Sequence, residues 1–75
     1  MTLNELKEYI GSLTSHVLFD YNGKNCGIDP INRTHFDMWY GDDAVTMHRI
    51  DDVFITPFFD GKSLDDIFDE ISNLE

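Results

Sequence analysis

Hydrophobic positions in the first 13 residues recur at helical spacing. The apolar residues follow one another at intervals of three or four positions: Leu3, Leu6, Ile10 and Leu13. Thr2 stands three residues before Glu5, the spacing at which two side chains cap each other's backbone N–H groups at the start of a helix. The pattern therefore predicts an amphipathic first helix that ends near residue 12 or 13 and packs on another element.

The next segment alternates between apolar and polar positions on either side of Asn22-Gly23. This dipeptide favours a two-residue hairpin loop, because both of its positions adopt positive φ. The resulting register makes three pairs: Tyr21 with Lys24, Phe19 with Cys26, and Val17 with Ile28. We expect the second strand to end at Asp29-Pro30 and residues 30–34 to form a loop.

Residues 35–49 form a second alternating pair of strands. Three apolar side chains share one face of its first strand: Phe36, Met38 and Tyr40. Val45 and Met47 match them on the second strand, whether the loop is Gly41-Asp42 or the four residues 41–44. The opposite face carries five side chains: His35, Asp37, Trp39, Thr46 and His48.

The remaining segments favour helix. Ile50, Val53 and Phe54 have helical spacing, which predicts a short helical turn that ends before Pro57. Ser63 is a helix N-cap with Asp66 as its reciprocal partner. The apolar stripe of this closing helix runs to the end of the chain: Leu64, Ile67, Phe68, Ile71 and Leu74.

The predicted fold class is α+β, and residues 1–75 form a single small domain. An N-terminal helix precedes two antiparallel β-hairpins, which form a three- or four-stranded meander; a short helical turn and a C-terminal helix follow. Both long helices are expected to cover the side of the sheet that carries Phe36, Met38 and Val45.

The charge balance limits the classes of partner. Fifteen acidic residues against five basic ones give a formal charge of −10 and a pI near 4.3. This charge repels nucleic acid and anionic lipid, and favours either basic partners or simple solubility. The acidic N-terminus does not resemble a signal peptide and no apolar run is long enough to span a bilayer, so we predict a cytoplasmic location without membrane binding.

Gly61-Lys62-Ser63 resembles the end of a phosphate-binding loop. However, Thr56 occupies the position of the first glycine that such a loop requires, and Asp60 adds repulsive charge. Cys26 is the single cysteine, which excludes an intrachain disulfide, and its apolar face predicts a buried, unreactive thiol. We predict no catalytic residue, no metal site and no cofactor, and hence a protein that is not an enzyme.

Trp39 remains once the apolar faces have been assigned to the helices. It shares its face with His35, Asp37, Thr46 and His48. A tryptophan ringed by polar groups on an open sheet face has the composition of an interaction hot spot. Alternatively, the first helix or residues 55–59 cover it. The favoured function is a non-enzymatic protein-interaction or regulatory module that binds a protein partner or a second copy of itself.

An acidic nucleic-acid mimic is the alternative function. Such a protein inhibits a DNA- or RNA-binding enzyme by imitating the phosphate backbone. The candidate acidic face consists of Asp51, Asp52, Asp65, Asp66, Asp69 and Glu70.

About half of the chain resembles small acidic bacterial proteins of no assigned function. The resemblance rests on residues 39–42 (WYGD), 50–53 (IDDV) and 58–64 (FFDGKSL). It implies a compact domain shared by several proteins, and it implies no activity, ligand or site.

Overall fold

The computed structural model describes residues 1–74. The helices are α1 (Leu3–Gly11), α2 (Ile50–Ile55) and α3 (Leu64–Ile67), and the 3₁₀ turn Phe68–Glu70 follows α3. The strands are β1 (Val17–Tyr21), β2 (Lys24–Asn32), β3 (His35–Tyr40) and β4 (Asp43–Met47). They form one antiparallel sheet in the order β1-β2-β3-β4, so the predicted α+β class is confirmed.

Helix α1 begins with the predicted reciprocal cap. The Thr2 hydroxyl accepts from the backbone N–H of Glu5 at 3.1 Å, and the Glu5 carboxylate accepts from the backbone N–H of Thr2 at 2.9 Å. Each side chain thus satisfies a backbone donor that the first helical turn leaves free. Leu6 and Ile10 are fully buried, so the apolar stripe faces the sheet.

The strand registers follow from the two turns. Asn22 and Gly23 both have positive φ, as the predicted loop requires, and β1 pairs with β2 in the predicted register. Strands β3 and β4 are joined by the shorter of the two predicted loops, Gly41-Asp42. The description as two hairpins is confirmed only in part, because a third tight turn at Arg33-Thr34 links β2 to β3 and makes all four strands one meander.

The predicted loop at residues 30–34 is wrong. Strand β2 continues through Pro30 to Asn32, and a register shift between these two residues marks an irregularity in its pairing with β3. Strand β1 begins only at Val17, opposite Ile28, so within residues 1–74 no strand pairs with β2 on the β1 side at Pro30. A proline without an N–H is tolerated at such a local edge.

The helices cover one face of the sheet, and the core lies between them. The strands contribute eight buried hydrophobic side chains to this core: Val17, Phe19, Tyr21, Cys26, Ile28, Phe36, Met38 and Tyr40. The helices and the segment before α3 contribute seven: Leu6, Ile10, Val53, Phe54, Phe59, Leu64 and Ile67. Val45 and Met47 pack against this cluster, so the helices lie on the predicted side.

The closing helix is much shorter than predicted. Its cap is present, with Ser63 and Asp66 bonding each other's backbone N–H, but regular helix ends at Ile67. Asp69 and Glu70 place negative charge at the helix end that the backbone dipole already makes negative, and the last turn contains no basic residue. The prediction that helical spacing continues to Leu74 is therefore wrong.

The segment after the 3₁₀ turn protects one edge of the sheet. Ser72 exchanges two backbone hydrogen bonds with Asp20 of β1, at 2.8 and 3.0 Å.

Within residues 1–74, no helix is long and apolar enough to cross a membrane. The helices leave the second face of the sheet uncovered, and this face carries the predicted binding residues.

Candidate functional site: the open face of the sheet

The side chains on the uncovered face, called here the open face, form three rows across the strands. The central row is apolar and crosses all four strands: Leu18, Gly27, Trp39 and Ala44. One flanking row contains Asp29, Asp37 and Thr46, and the other contains Asp20 and Asn25. An apolar row between two rows that carry carboxylates is the basic geometry of the site.

The Trp39 indole lies flat on strand β2 above Gly27. A Cβ atom on Gly27 would come closest to Cζ2, and it would be only slightly farther, 2.6 Å, from the two ring atoms bonded to Cζ2. If this Cβ approached within the plane of the ring, the two neighbouring atoms would be much farther from it than Cζ2 is. The line from Cζ2 to the Cβ therefore runs along the normal of the ring. The indole therefore has one π-face on the β2 backbone and the other turned away from the sheet.

Trp39 is neither fully open to solvent nor covered by the first helix or by residues 55–59. The side chain is half-buried. Helix α1 and residues 55–59 do not cover it, because Leu6, Ile10 and Phe59 belong to the core on the opposite face. Gly27 supplies the burial instead, since the absence of a side chain leaves room for the ring. Trp39 thus combines a fixed position with an accessible face.

Asp37 is held by two neighbours on the open face. The Thr46 hydroxyl donates to Asp37 Oδ1 at 2.8 Å, and His35 Nε2 lies 2.8 Å from the same oxygen. The hydrogen bond from Thr46, followed by that from His35, lowers the pKa of the Asp37 carboxyl from its ordinary value. The carboxylate is therefore charged and oriented at neutral pH.

The predicted site residues lie close together. His48 follows the end of β4 and its Nδ1 lies 2.9 Å from the backbone oxygen of Thr34. Its ring meets the ring of His35 edge to face, with centroids 6.4 Å apart. The structure thus brings His35, Asp37, Thr46 and His48 into one polar cluster beside Trp39.

Sequence reasoning missed two residues of the site, Asp29 and Gly27. Asp29 was placed at the end of a strand, but β2 continues and sets it directly opposite Asp37. Like charges directly opposite each other on neighbouring strands are destabilising. Asp29 has no ion-pair partner within residues 1–74. Gly27 could have been found from the hairpin register, which already pairs it with Leu18.

A concavity of about 510 Å³ adjoins the indole on the β1 side. Leu18, Asp20, Trp39 and Asn73 are among its lining residues. The Asn73 amide donates to Asp20 at 2.7 Å and thereby fixes that carboxylate at the rim. The open face is thus a shallow surface with one aromatic platform and a polar recess beside it.

Cys26 lies on the opposite, buried face of the sheet. Its side chain is almost fully buried, and this burial raises the pKa of the thiol. The predicted placement of Cys26 on the apolar face is confirmed. A thiol in this environment stays protonated at neutral pH and is a poor nucleophile.

The six residues of the alternative acidic face have different local environments. Asp51 forms an ion pair with Lys7 at 2.9 Å, and this hydrogen-bonded cation lowers the pKa of Asp51. Asp66 belongs to the cap of α3. The other four lie in three different parts of the structure. Asp65 and Asp69 adjoin the start of α1, Glu70 adjoins the β1–β2 turn, and Asp52 lies half-buried in α2.

No family model, curated protein or solved structure matches this chain. The resemblance to small acidic bacterial proteins therefore stays a prediction. Within residues 1–74, no group of three or more His, Cys, Asp and Glu side chains is arranged to hold a metal ion. The functional argument accordingly rests on the geometry of the open face.

Proposed function

We propose that this protein is a non-enzymatic protein-binding module whose partner docks on the open face, with Trp39 at the centre of the contact. The observation that carries the proposal is the flat, half-buried indole on a sheet face that no helix of residues 1–74 covers. Tryptophan is among the residues most enriched in the energetic centres of protein interfaces. Its large surface is presented at low entropic cost, because it has only two rotatable side-chain bonds.

The site is ordered before a partner arrives. Gly27 fixes the plane of the indole, while Thr46 and His35 orient the Asp37 carboxylate. Binding therefore requires little further immobilisation of side chains, which is one of the main costs of association. This preorganisation supports a binding mode in which the open face of this protein is already rigid, rather than one in which a loop of it folds on binding.

The size of the open face sets the expected strength. With strands about 4.8 Å apart and a rise of about 3.4 Å per residue, four strands of five residues present on the order of 300 Å². A standard stable interface buries about 800 Å² on each partner. The sheet face alone therefore supports a transient complex, unless the partner also contacts the loops at its rim.

The test compares capture of proteins from a lysate of the source cells by three immobilised baits. The first is the wild-type protein, and the second is Trp39→Ala. The third is Ile55→Ala, a matched control, because Ile55 is a 61% exposed apolar residue on a helix. Any protein that differs between baits is identified, purified and titrated against all three variants.

The proposal expects one protein that binds wild type and Ile55→Ala with similar affinity and binds Trp39→Ala at least tenfold more weakly. Equal binding to all three variants would place the contact elsewhere. Washing at low and at high salt, compared between wild type and Trp39→Ala, separates the alternative function, since an acidic mimic binds through exposed charge pairs that salt screens and does not depend on Trp39. Salt-sensitive capture of a basic nucleic-acid enzyme, unaffected by Trp39→Ala, would favour the acidic mimic.

A further inference from the structure

We infer that the partner docks through a basic segment, and that an arginine of this segment stacks its guanidinium on the outer face of the Trp39 indole. The inference rests on the proposed function and adds the chemistry of the partner. It follows from the orientation of the indole, from the charges that flank it, and from one pair of like charges on neighbouring strands.

The indole offers its π-face rather than its edge. Because the ring lies parallel to the β2 backbone above Gly27, its second π-face, which carries the negative part of the ring quadrupole, is turned away from the sheet. A cation placed over the face of a tryptophan gains more than one placed over any other aromatic side chain. The geometry thus favours a cationic group above an apolar one.

Carboxylates flank this platform on both sides. Asp29 and Asp37 stand one row away along the strands, at about 7 Å, which corresponds to two residues of extended chain. Asp20 stands in the row on the other side, at the rim of the concavity. The paired positions of this face within residues 1–74 carry neither lysine nor arginine, so its charge complements a basic partner.

The pairing of Asp29 with Asp37 across β2 and β3 gives a second reason. The two residues are paired positions of neighbouring strands on the same face, and Asp29 has no ion-pair partner within residues 1–74. The free protein therefore carries an unfavourable pair on the same face as the exposed indole. A guanidinium between the indole and these carboxylates removes the repulsion, and the relief adds to the affinity.

Arginine fits this arrangement better than lysine does. Its planar group stacks on an aromatic face and can donate two parallel hydrogen bonds to a carboxylate at the same time. The lysine ammonium is a compact, strongly hydrated point charge that loses more hydration at such a surface. A second copy of this chain is a poor occupant, because each copy has a formal charge of −10.

The experiment titrates wild type with two capped peptides, Gly-Arg-Gly-Arg-Gly and Gly-Lys-Gly-Lys-Gly. Trp39 is the only tryptophan, so its fluorescence and the NMR signal of its indole N–H report the site directly. We expect the arginine peptide to shift both signals and to bind about threefold to tenfold more tightly than the lysine peptide, since stacking and paired hydrogen bonds are worth about 1 kcal/mol.

Two variants that each remove one negative charge separate a site from general attraction. Asp29→Asn is expected to weaken the arginine peptide about threefold, and also to raise the thermal midpoint of the free protein, because it removes the like-charge pair. Asp69→Asn is the matched control in the helical layer and should leave the affinity unchanged. Equal effects of the two variants, or equal binding of the two peptides, would overturn the inference.

The failure of this inference is distinguishable from the failure of the proposed function. If the arginine peptide does not shift the Trp39 signals while a purified partner still requires Trp39, the open face binds protein but the assigned partner chemistry is wrong. If the arginine peptide binds in the expected order but no protein partner depends on Trp39, the guanidinium site stands and the proposed function is contradicted.

Discussion

Gly27 and Trp39 should be strongly coupled in stability, because the indole occupies the space of the missing Gly27 side chain. A methyl group on Gly27 would stand within 2.6 Å of ring atoms, whereas carbon atoms in contact need about 3.5–4.0 Å. The ring must therefore move away by about 1 Å or more. The strand beneath cannot yield, since Gly27 is in the interior of the sheet, between β1 and β3.

The expected magnitude for Gly27→Ala is a net loss of about 1.5–2 kcal/mol. Lifting the ring exposes on the order of 100 Å² of apolar surface, about half of what a tryptophan buries, which costs about 2.5 kcal/mol. Replacing glycine by alanine in a strand recovers about 0.5–1 kcal/mol of chain entropy. In a domain of this size, the difference corresponds to a fall of about 6–16 °C in the thermal midpoint.

The sign should reverse when Trp39 is absent. In a Trp39→Ala background, the Gly27→Ala methyl meets no ring, and only the entropic gain remains, so the substitution should stabilise by about 0.5–1 kcal/mol. Urea unfolding followed by circular dichroism gives the free energy of unfolding for all four proteins, and the double-mutant cycle isolates the coupling. An equal cost of Gly27→Ala in both backgrounds would refute the flat placement of the indole.

Three further outcomes follow from particular side chains. Thr46→Val should raise the pKa of Asp37 toward its ordinary value in an NMR titration. The lowered pKa of Asp37 in the folded state stabilises wild type at pH values above the unfolded pKa of about 3.9, and this contribution is lost as the pH falls through the folded pKa. An Asp37 pKa that is unchanged by Thr46→Val would contradict the hydrogen bond from Thr46. The Cys26 thiol, with its pKa raised by burial, should react slowly with a disulfide reagent in the native protein and much faster in urea; rapid native labelling would show that the strand opens. Ser63→Ala should cost about 1 kcal/mol in the free energy of unfolding because it removes the acceptor for the Asp66 N–H, and a thermal midpoint equal to that of wild type would show that the cap contributes little.

Local sequence signals predicted the elements whose geometry depends on a few neighbouring residues. The Asn22-Gly23 turn determined the β1–β2 register, because a two-residue loop leaves one pairing. The cap of Thr2 and Glu5 placed the start of α1 for the same reason. The residues that make each of these interactions lie within three positions of one another, so the local sequence contains all the partners.

The errors arose where a distant segment decides the outcome. Pro30 remains in a strand because β1 does not extend far enough to pair with it. This outcome depends on the length of another element. The last residues leave the helix and Ser72 pairs with Asp20, about 50 positions earlier in the chain. Neither event can be read from the local pattern of apolar residues.

The sequence by itself determined the alternation that places Trp39, Asp37 and Thr46 on one side of the sheet and the apolar residues on the other. Only the tertiary structure decided that this side stays uncovered, that the indole lies flat over Gly27, and that Asp29 faces Asp37. The physical reason is that strand alternation is a property of neighbouring residues, whereas the contents of a sheet face depend on the pairing of strands and on where the helices pack.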